Sequence, residues 1–268
     1  MAMAIVRGLI THGLSAQSIT VAEPWEVNRG KMAEMGVQTT TDNVAAVRGA
    51  DVVILAVKPQ VTKAVCQEIA AGWSGAASPP VVVSIAAGIT LASLQQWLHA
   101  EGGKSVHVVR VMPNTPALVS EGASGLVAGE GVTEDEKALI DGLLRSVSKA
   151  TEWVDREDLL DVVTGLSGSG PAYFFAMVEH LIASATALGL SKEQATRLAA
   201  QTCLGAGKML VESSDEPAQL RRNVTSPGGT TFAALQTFEA LKFGETVDAA
   251  VKSATARAAE LGETLGKQ

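Results

Sequence analysis

The sequence predicts an α/β protein, a doubly wound sheet followed by an all-helical domain, and three observations carry that prediction. Strand-like and helix-like patterns alternate from the start of the chain to about Arg156. The run Asp51, Val52, Val53, Ile54, Leu55, Ala56, Val57 is continuously apolar after its first residue, the pattern of a strand buried on both faces. Beyond Arg156 helical periodicity and many alanines remain, and no convincing strand follows. Alternation of the first kind implies a mainly parallel sheet with helices packed on it.

Residues 1–12 read as a helix with Ile5 and Leu9 on one face and Gly13 as its C-terminal cap. A strand follows at 19–22, then a polar helix at 25–35 and a short helix near Val44. After the 51–57 run, further strands are expected at 81–85, 106–112, 125–128 and 151–154, with helices between most of them. The remaining chain reads as helices near 171–188, 192–211, 217–223, 230–241 and 244–265. Ala199, Ala200, Gly205, Ala206 and Gly207 permit close helix contact, which suits either a dimer interface or a monomeric bundle. The apolar stretch 171–190 carries Glu179 and His180 at its centre, where charge is costly in lipid, so it reads as a buried helix.

With 268 residues, 47% of them hydrophobic, the chain can bury a large core. Its formal charge of −7 comes without a basic block, which argues against nucleic acid and anionic membrane as partners. Cys66 and Cys203 stand far apart with no CxxC or CxxH spacing, so neither a disulfide framework nor a zinc site is indicated. His12, His99, His107 and His180 never fall at metal-ligand spacing, and no metal is predicted. The opening residues lack the succession of a signal peptide, with Arg7 interrupting them, so cytoplasmic location is expected.

In such a sheet the ligand lies beyond the carboxyl ends of the strands. Lys58 and Pro59 follow Val57; Ala86, Ala87 and Gly88 follow Ile85; Pro113, Asn114, Thr115 and Pro116 follow Met112. Small residues let a flat dinucleotide approach the backbone, and prolines stiffen the loops. Taken singly, Lys58 or Asn114 also fits a solvated or turn residue. The segment GLSGSGPAY at 165–173 opens a long helix and suits a hinge, a small-ligand site, or both. The segment SPGGTT at 226–231 points most sharply to a site. A helix start there exposes unpaired N–H groups with partial positive charge, Gly228 and Gly229 remove bulk, and Ser226 and Thr231 add hydroxyls, together suited to a carboxylate. The plainer alternative is a glycine turn capped by threonine.

Read in order, AVKP at 56–59, SIAAG at 84–88, MPNTP at 112–116, GLSGSGPAY at 165–173 and SPGGTT at 226–231 resemble pyrroline-5-carboxylate reductase over essentially the whole chain. The resemblance implies a Rossmann-like cofactor domain over 1–157 and a helical dimerisation and substrate domain over 158–268, with the active site between domains of a homodimer or an assembly of dimers. It implies hydride transfer from NADPH or NADH to the C=N bond of 1-pyrroline-5-carboxylate, giving L-proline in the last step of proline biosynthesis. Ser226, Gly228, Gly229, Thr230 and Thr231 inherit the hold on the substrate carboxylate, with Thr231 also near the ring nitrogen as the catalytic residue. Glu23, Asn43, Ala56, Val57, Lys58, Pro59, Ala86, Ala87 and Asn114 fall where that family lines its cofactor. Glu23 departs from a small hydroxyl residue and favours NADH, because a carboxylate accepts from a free 2′-hydroxyl and repels a 2′-phosphate. The alternative has Glu23 in solvent, with Asn43 and Arg29 holding the phosphate.

The chain begins where the family has its first helix, so the first strand and its glycine-rich turn are expected to be missing from an N-terminally truncated domain, with strands 19–22 and 51–57 flanking the gap. Two other readings compete. A β-hydroxyacid dehydrogenase relative would need a lysine where Phe174 stands, and a neutral aromatic cannot serve as acid or base. A non-catalytic helical dimer would lack saturable nicotinamide binding.

Overall fold

A computed structural model describes residues 1–73, 79–99 and 105–265. The chain divides into two compact units, one of Met1–Gly168 with Ser253–Gln268 and one of Ser169–Lys252.

In the first unit, α1 (Ala2–Thr11) buries Ala4, Ile5, Val6, Gly8 and Leu9. Gly8 is required by close approach, since a Cβ there would sit 2.7 Å from the Ser146 carbonyl oxygen. Strand β1 (Thr20–Ala22), helix α2 (Glu26–Ala33) and strand β2 (Gln38–Thr40) form a βαβ unit whose strands pair in parallel, Thr20 beside Gln38 and Ala22 beside Thr40. A five-stranded sheet follows in sequential order: β3 (Val52–Leu55), β4 (Val81–Ser84), β5 (Val108–Met112), β6 (Gly122–Ala128) and β7 (Ser148–Trp153). The first three strands are parallel, β6 runs antiparallel to β5, and β7 is parallel to β6.

Alternation along the strands builds two cores. Val82 and Val108 join Leu55, Cys66, Ile69 and Leu94, the last three from α4 (Pro59–Ala70) and α5 (Leu91–Trp97). Val81, Val83, Val109 and Val111 face the other way, against Ile140 and Leu144 of α6 (Glu134–Leu144). Strand β4 is thus buried along its whole length. The reading of 51–57 as buried on both faces is corrected: β3 is an edge strand, and only Leu55 of its four residues is fully buried.

Strands β1 and β3 share no ladder among the described residues. Helix α1 joins the two sheets instead, with Ile5 and Leu9 packed on Ile19, Ile54 and Ile85, and Val6 packed with Met32, Val37 and Val21. A partly buried ion pair adds a polar tie: Arg110 Nη1 on β5 donates to Glu157 Oε1 at 2.5 Å, and the same oxygen accepts the Leu91 amide at the start of α5 at 2.6 Å.

The second unit contains α8 (Gly170–Ala187), α9 (Lys192–Glu212), α10 (Pro217–Asn223) and α11 (Thr230–Ala240); α12 (Phe243–Leu265) belongs partly to each unit. Ser191 and Gln194 form a capping box that starts α9. The expectation of a buried helix over the apolar stretch 171–190 is also corrected. Phe174, Phe175, Leu181 and Leu188 are exposed, and Gly170 and Ala195 are the buried residues among those described in this unit. Within this unit the described helices leave large apolar side chains uncovered. Among the described residues, no helix is long and apolar enough to cross a membrane.

Candidate active site

The carboxyl end of β1 is held rigidly. Glu23 donates its amide to the Thr40 carbonyl at 3.0 Å, and its Oε1 accepts the Trp25 amide at 3.0 Å. Arg29 Nη1 donates to the carbonyls of Glu23 and Pro24 at 2.9 and 3.1 Å, which ties its guanidinium to this turn. At the matching end of β2, Asp42 caps α3 (Asn43–Val47) by accepting the Ala45 amide, and Asn43 Nδ2 donates to Glu68 Oε2 at 2.9 Å.

Beyond β3, Ala56 and Lys58 are exposed while Val57 and Pro59 are half-buried. Pro59 takes the first position of α4, where its missing N–H costs nothing. No side chain caps this helix, and the Val61 amide of its first turn donates to the Lys58 carbonyl at 3.1 Å. Beyond β4, Ser84 Oγ accepts the Ala86 amide at 3.3 Å; Ala86 turns into the core and Ala87 to the surface. These features suit a dinucleotide. Exposed Ala56 and Ala87 add no bulk beyond Cβ, and Glu23 supplies a carboxylate acceptor of the kind ribose hydroxyls need.

Asn114, 9% exposed, follows β5 and binds backbone with both ends of its amide. Oδ1 accepts the Ala123 amide at 3.0 Å and Nδ2 donates to the Ser167 carbonyl at 3.1 Å. Ser167 lies in Thr164–Gly168, a single π-helical turn after α7 (Leu159–Val163), and such turns concentrate at functional sites. A Cβ on Gly168 would meet the Met112 side chain at 2.9 Å, so this glycine lets the two loops close on each other. The sequence marks both loops; their direct union is visible only in the fold.

In the second unit, the turn before α11 is made as its residues dictate. Gly228 adopts φ +70°, a left-handed conformation that suits glycine, and the Gly229 amide donates to the Ser226 carbonyl at 3.0 Å. Gly229 is the backbone cap of α11, and no side chain caps it. The amides of Thr230, Thr231 and Phe232 therefore stand in a first turn without intrahelical partners, at the positive end of the helix. Thr231 is half-buried, and Ser226, Gly228 and Thr230 are exposed. A helix end of this kind suits an anion.

Burial pushes the Cys66 thiol up to about 12, which keeps it protonated and unreactive. Burial also holds the Asp161 carboxyl above its ordinary value, although the Arg110 charge pulls the other way.

Small-residue loops at the carboxyl ends of parallel strands and an open helix N-terminus on a separate helical unit define a nicotinamide-dependent oxidoreductase with a Rossmann-like domain. Family models agree: that for NADP oxidoreductase, coenzyme F420-dependent, matches residues 1–88, and that for pyrroline-5-carboxylate reductase dimerisation matches residues 157–261. The pyrroline-5-carboxylate reductase of Pseudomonas aeruginosa is 46% identical over 268 residues, 100% of this chain and 95% of that protein. A solved pyrroline-5-carboxylate reductase from Coxiella burnetii matches with a TM-score of 0.90 at 41% identity, over 97% of this chain and 94% of the other. Plasmodium falciparum pyrroline carboxylate reductase, solved with NADP bound, gives 0.82 at 28% identity with the same coverages. The chain belongs to the pyrroline-5-carboxylate reductase family.

Proposed function

We propose that this chain reduces 1-pyrroline-5-carboxylate to L-proline with NADPH or NADH, the last step of proline biosynthesis. The observation that carries the reading is the uncapped, glycine-led N-terminus of α11. The substrate carboxylate binds the open amides of its first turn, with the hydroxyls of Ser226 and Thr231 as further donors and Gly228 and Gly229 leaving the approach clear. Thr231 stands beside the ring nitrogen. A protonated imine is already electrophilic, so the residues need to place it and need no strong base.

The nicotinamide cofactor, when bound, supplies the hydride. Glu23 and Asn43 hold its adenosine end; Ala56, Val57, Lys58 and Pro59 with Ala86 and Ala87 line its length; the loop fixed by Asn114 supports the ring. Residues 1–157 serve the cofactor, and 158–268 serve substrate binding and assembly. The exposed apolar faces of α8 and α9 support a homodimer or an assembly of dimers. Two free cysteines favour a reducing, cytoplasmic compartment.

Thr231→Ala tests the reading. Loss of one positioned donor is expected to lower kcat/KM by about 10²-fold, with melting temperature and cofactor affinity unchanged. Unchanged kinetics would remove Thr231 from the site.

A further inference from the structure

Trp25 is the outlier among four tryptophans. Trp73 and Trp97 are buried at 6% and 7% exposure, and Lys137 Nζ lies 5.7 Å from the ring centroid of Trp153. Trp25 is 73% exposed, so a wide planar apolar ring with a polar N–H stands in solvent.

Its backbone is not loose. The Trp25 amide is held by Glu23 Oε1, its carbonyl accepts the Arg29 amide at 2.9 Å, and Arg29 clamps the two carbonyls before it. Trp25 is therefore a bare indole on a fixed turn, at the carboxyl end of a parallel βαβ pair, in direct hydrogen bond with the Glu23 carboxylate. A carboxylate that receives the adenosine ribose has the adenine as its immediate neighbour.

We infer that Trp25 is the adenine platform of the cofactor site, stacking its indole on the base while Glu23 receives the attached ribose. The inference rests on the assignment of Glu23 to the ribose. Stacking is indifferent to the 2′ position, so Trp25 strengthens NADH and NADPH alike and leaves the choice between them to Glu23. Trp25 positions the cofactor and touches no reacting atom.

Calorimetric affinities for NADH, NADPH and the adenine-free dihydronicotinamide mononucleotide test this in the wild-type protein, Trp25→Phe and Trp25→Ala. Loss of one base–aromatic stack predicts a weakening of about 10-fold for both dinucleotides in Trp25→Ala. Trp25→Phe should restore most of that affinity, and the mononucleotide should bind all three proteins equally. Adenosine monophosphate should quench the part of the tryptophan emission that Trp25→Phe removes. Dinucleotide affinity unchanged in Trp25→Ala, with saturable binding intact, would overturn the role of Trp25 and leave the cofactor site standing. A wild-type protein with no saturable dinucleotide binding would overturn both. A mononucleotide affinity that falls in step with NADH would mark Trp25 as structural and also overturn the inference.

Discussion

Asn114 and Ser167 stand 53 residues apart and are joined directly, Nδ2 donating to the Ser167 carbonyl at 3.1 Å. With the other end of the amide on the Ala123 N–H, one side chain fastens the turn after β5 to both β6 and the π-helical turn. Asn114→Ala leaves two backbone groups unpaired, a loss of about 2 kcal/mol. Asn114→Asp keeps the acceptor for Ala123 and turns a negative oxygen on the Ser167 carbonyl, so it should also destabilise. Urea unfolding of the three proteins checks this, and equal midpoints would show that the amide holds nothing.

The turn before α11 makes a different prediction. A Cβ on Gly228 meets nothing within 4 Å, so Gly228→Ala pays only for the left-handed backbone at φ +70°. That cost is about 1–2 kcal/mol, and the loop can evade it by rearranging. The expected result is a raised KM for the imine with little change in cofactor affinity. Unaltered KM would separate the Gly228 conformation from substrate binding.

Stability at low pH should report on Glu136. Burial pushes its carboxyl up, but the Thr133 amide, the His107 ring and the Thr133 hydroxyl outweigh burial and hold it below the usual range. His107 Nδ1 lies 2.8 Å from Glu136 Oε1. A carboxyl lowered in the folded state adds stability above its unfolded value of about 4.3, and that stability is lost as pH falls through the folded value. Glu136→Gln keeps the capping geometry and loses the charge. Its melting temperature should lie below wild type at pH 7, and the gap should close in acid. A gap constant with pH would contradict the charge argument.

Much of this was readable in advance, and the exceptions have physical causes. Both faces of β4 are apolar because sheet neighbours and helices cover them, and the sequence pattern predicts that. The similar pattern of β3 predicts the same burial, yet edge position decides exposure, and edge position is a property of topology. Strand β2 escapes the sequence reading because Gln38, Thr39 and Thr40 are polar, although the turn at Gly36 and the β-branched run are its signals. The apolar length of α8 reads as core, whereas the described residues of the chain leave most of it exposed. SPGGTT announces its open helix end because glycine and helix-start chemistry are local. The bond between Asn114 and Ser167 is nonlocal, so no spacing rule finds it.

Glu23 decides cofactor choice in this reading. Replacement of the carboxylate by the hydroxyl of Glu23→Ser removes both the acceptor for a 2′-hydroxyl and the repulsion of a 2′-phosphate. The ratio of kcat/KM for NADH over NADPH should fall by about tenfold, the scale of one charged hydrogen bond. A strong NADPH preference in the wild-type protein, unchanged by the substitution, would refute any part for Glu23.

The most direct measurement follows the hydride itself. The protein is incubated with 1-pyrroline-5-carboxylate and NADH or NADPH carrying deuterium at the transferring C4 position, and the product is read by mass spectrometry and NMR. The predicted result is L-proline with one deuterium at C5, formed at the rate of cofactor oxidation and suppressed about 10²-fold in Thr231→Ala. Proline without deuterium, or cofactor oxidation independent of the imine, would contradict it.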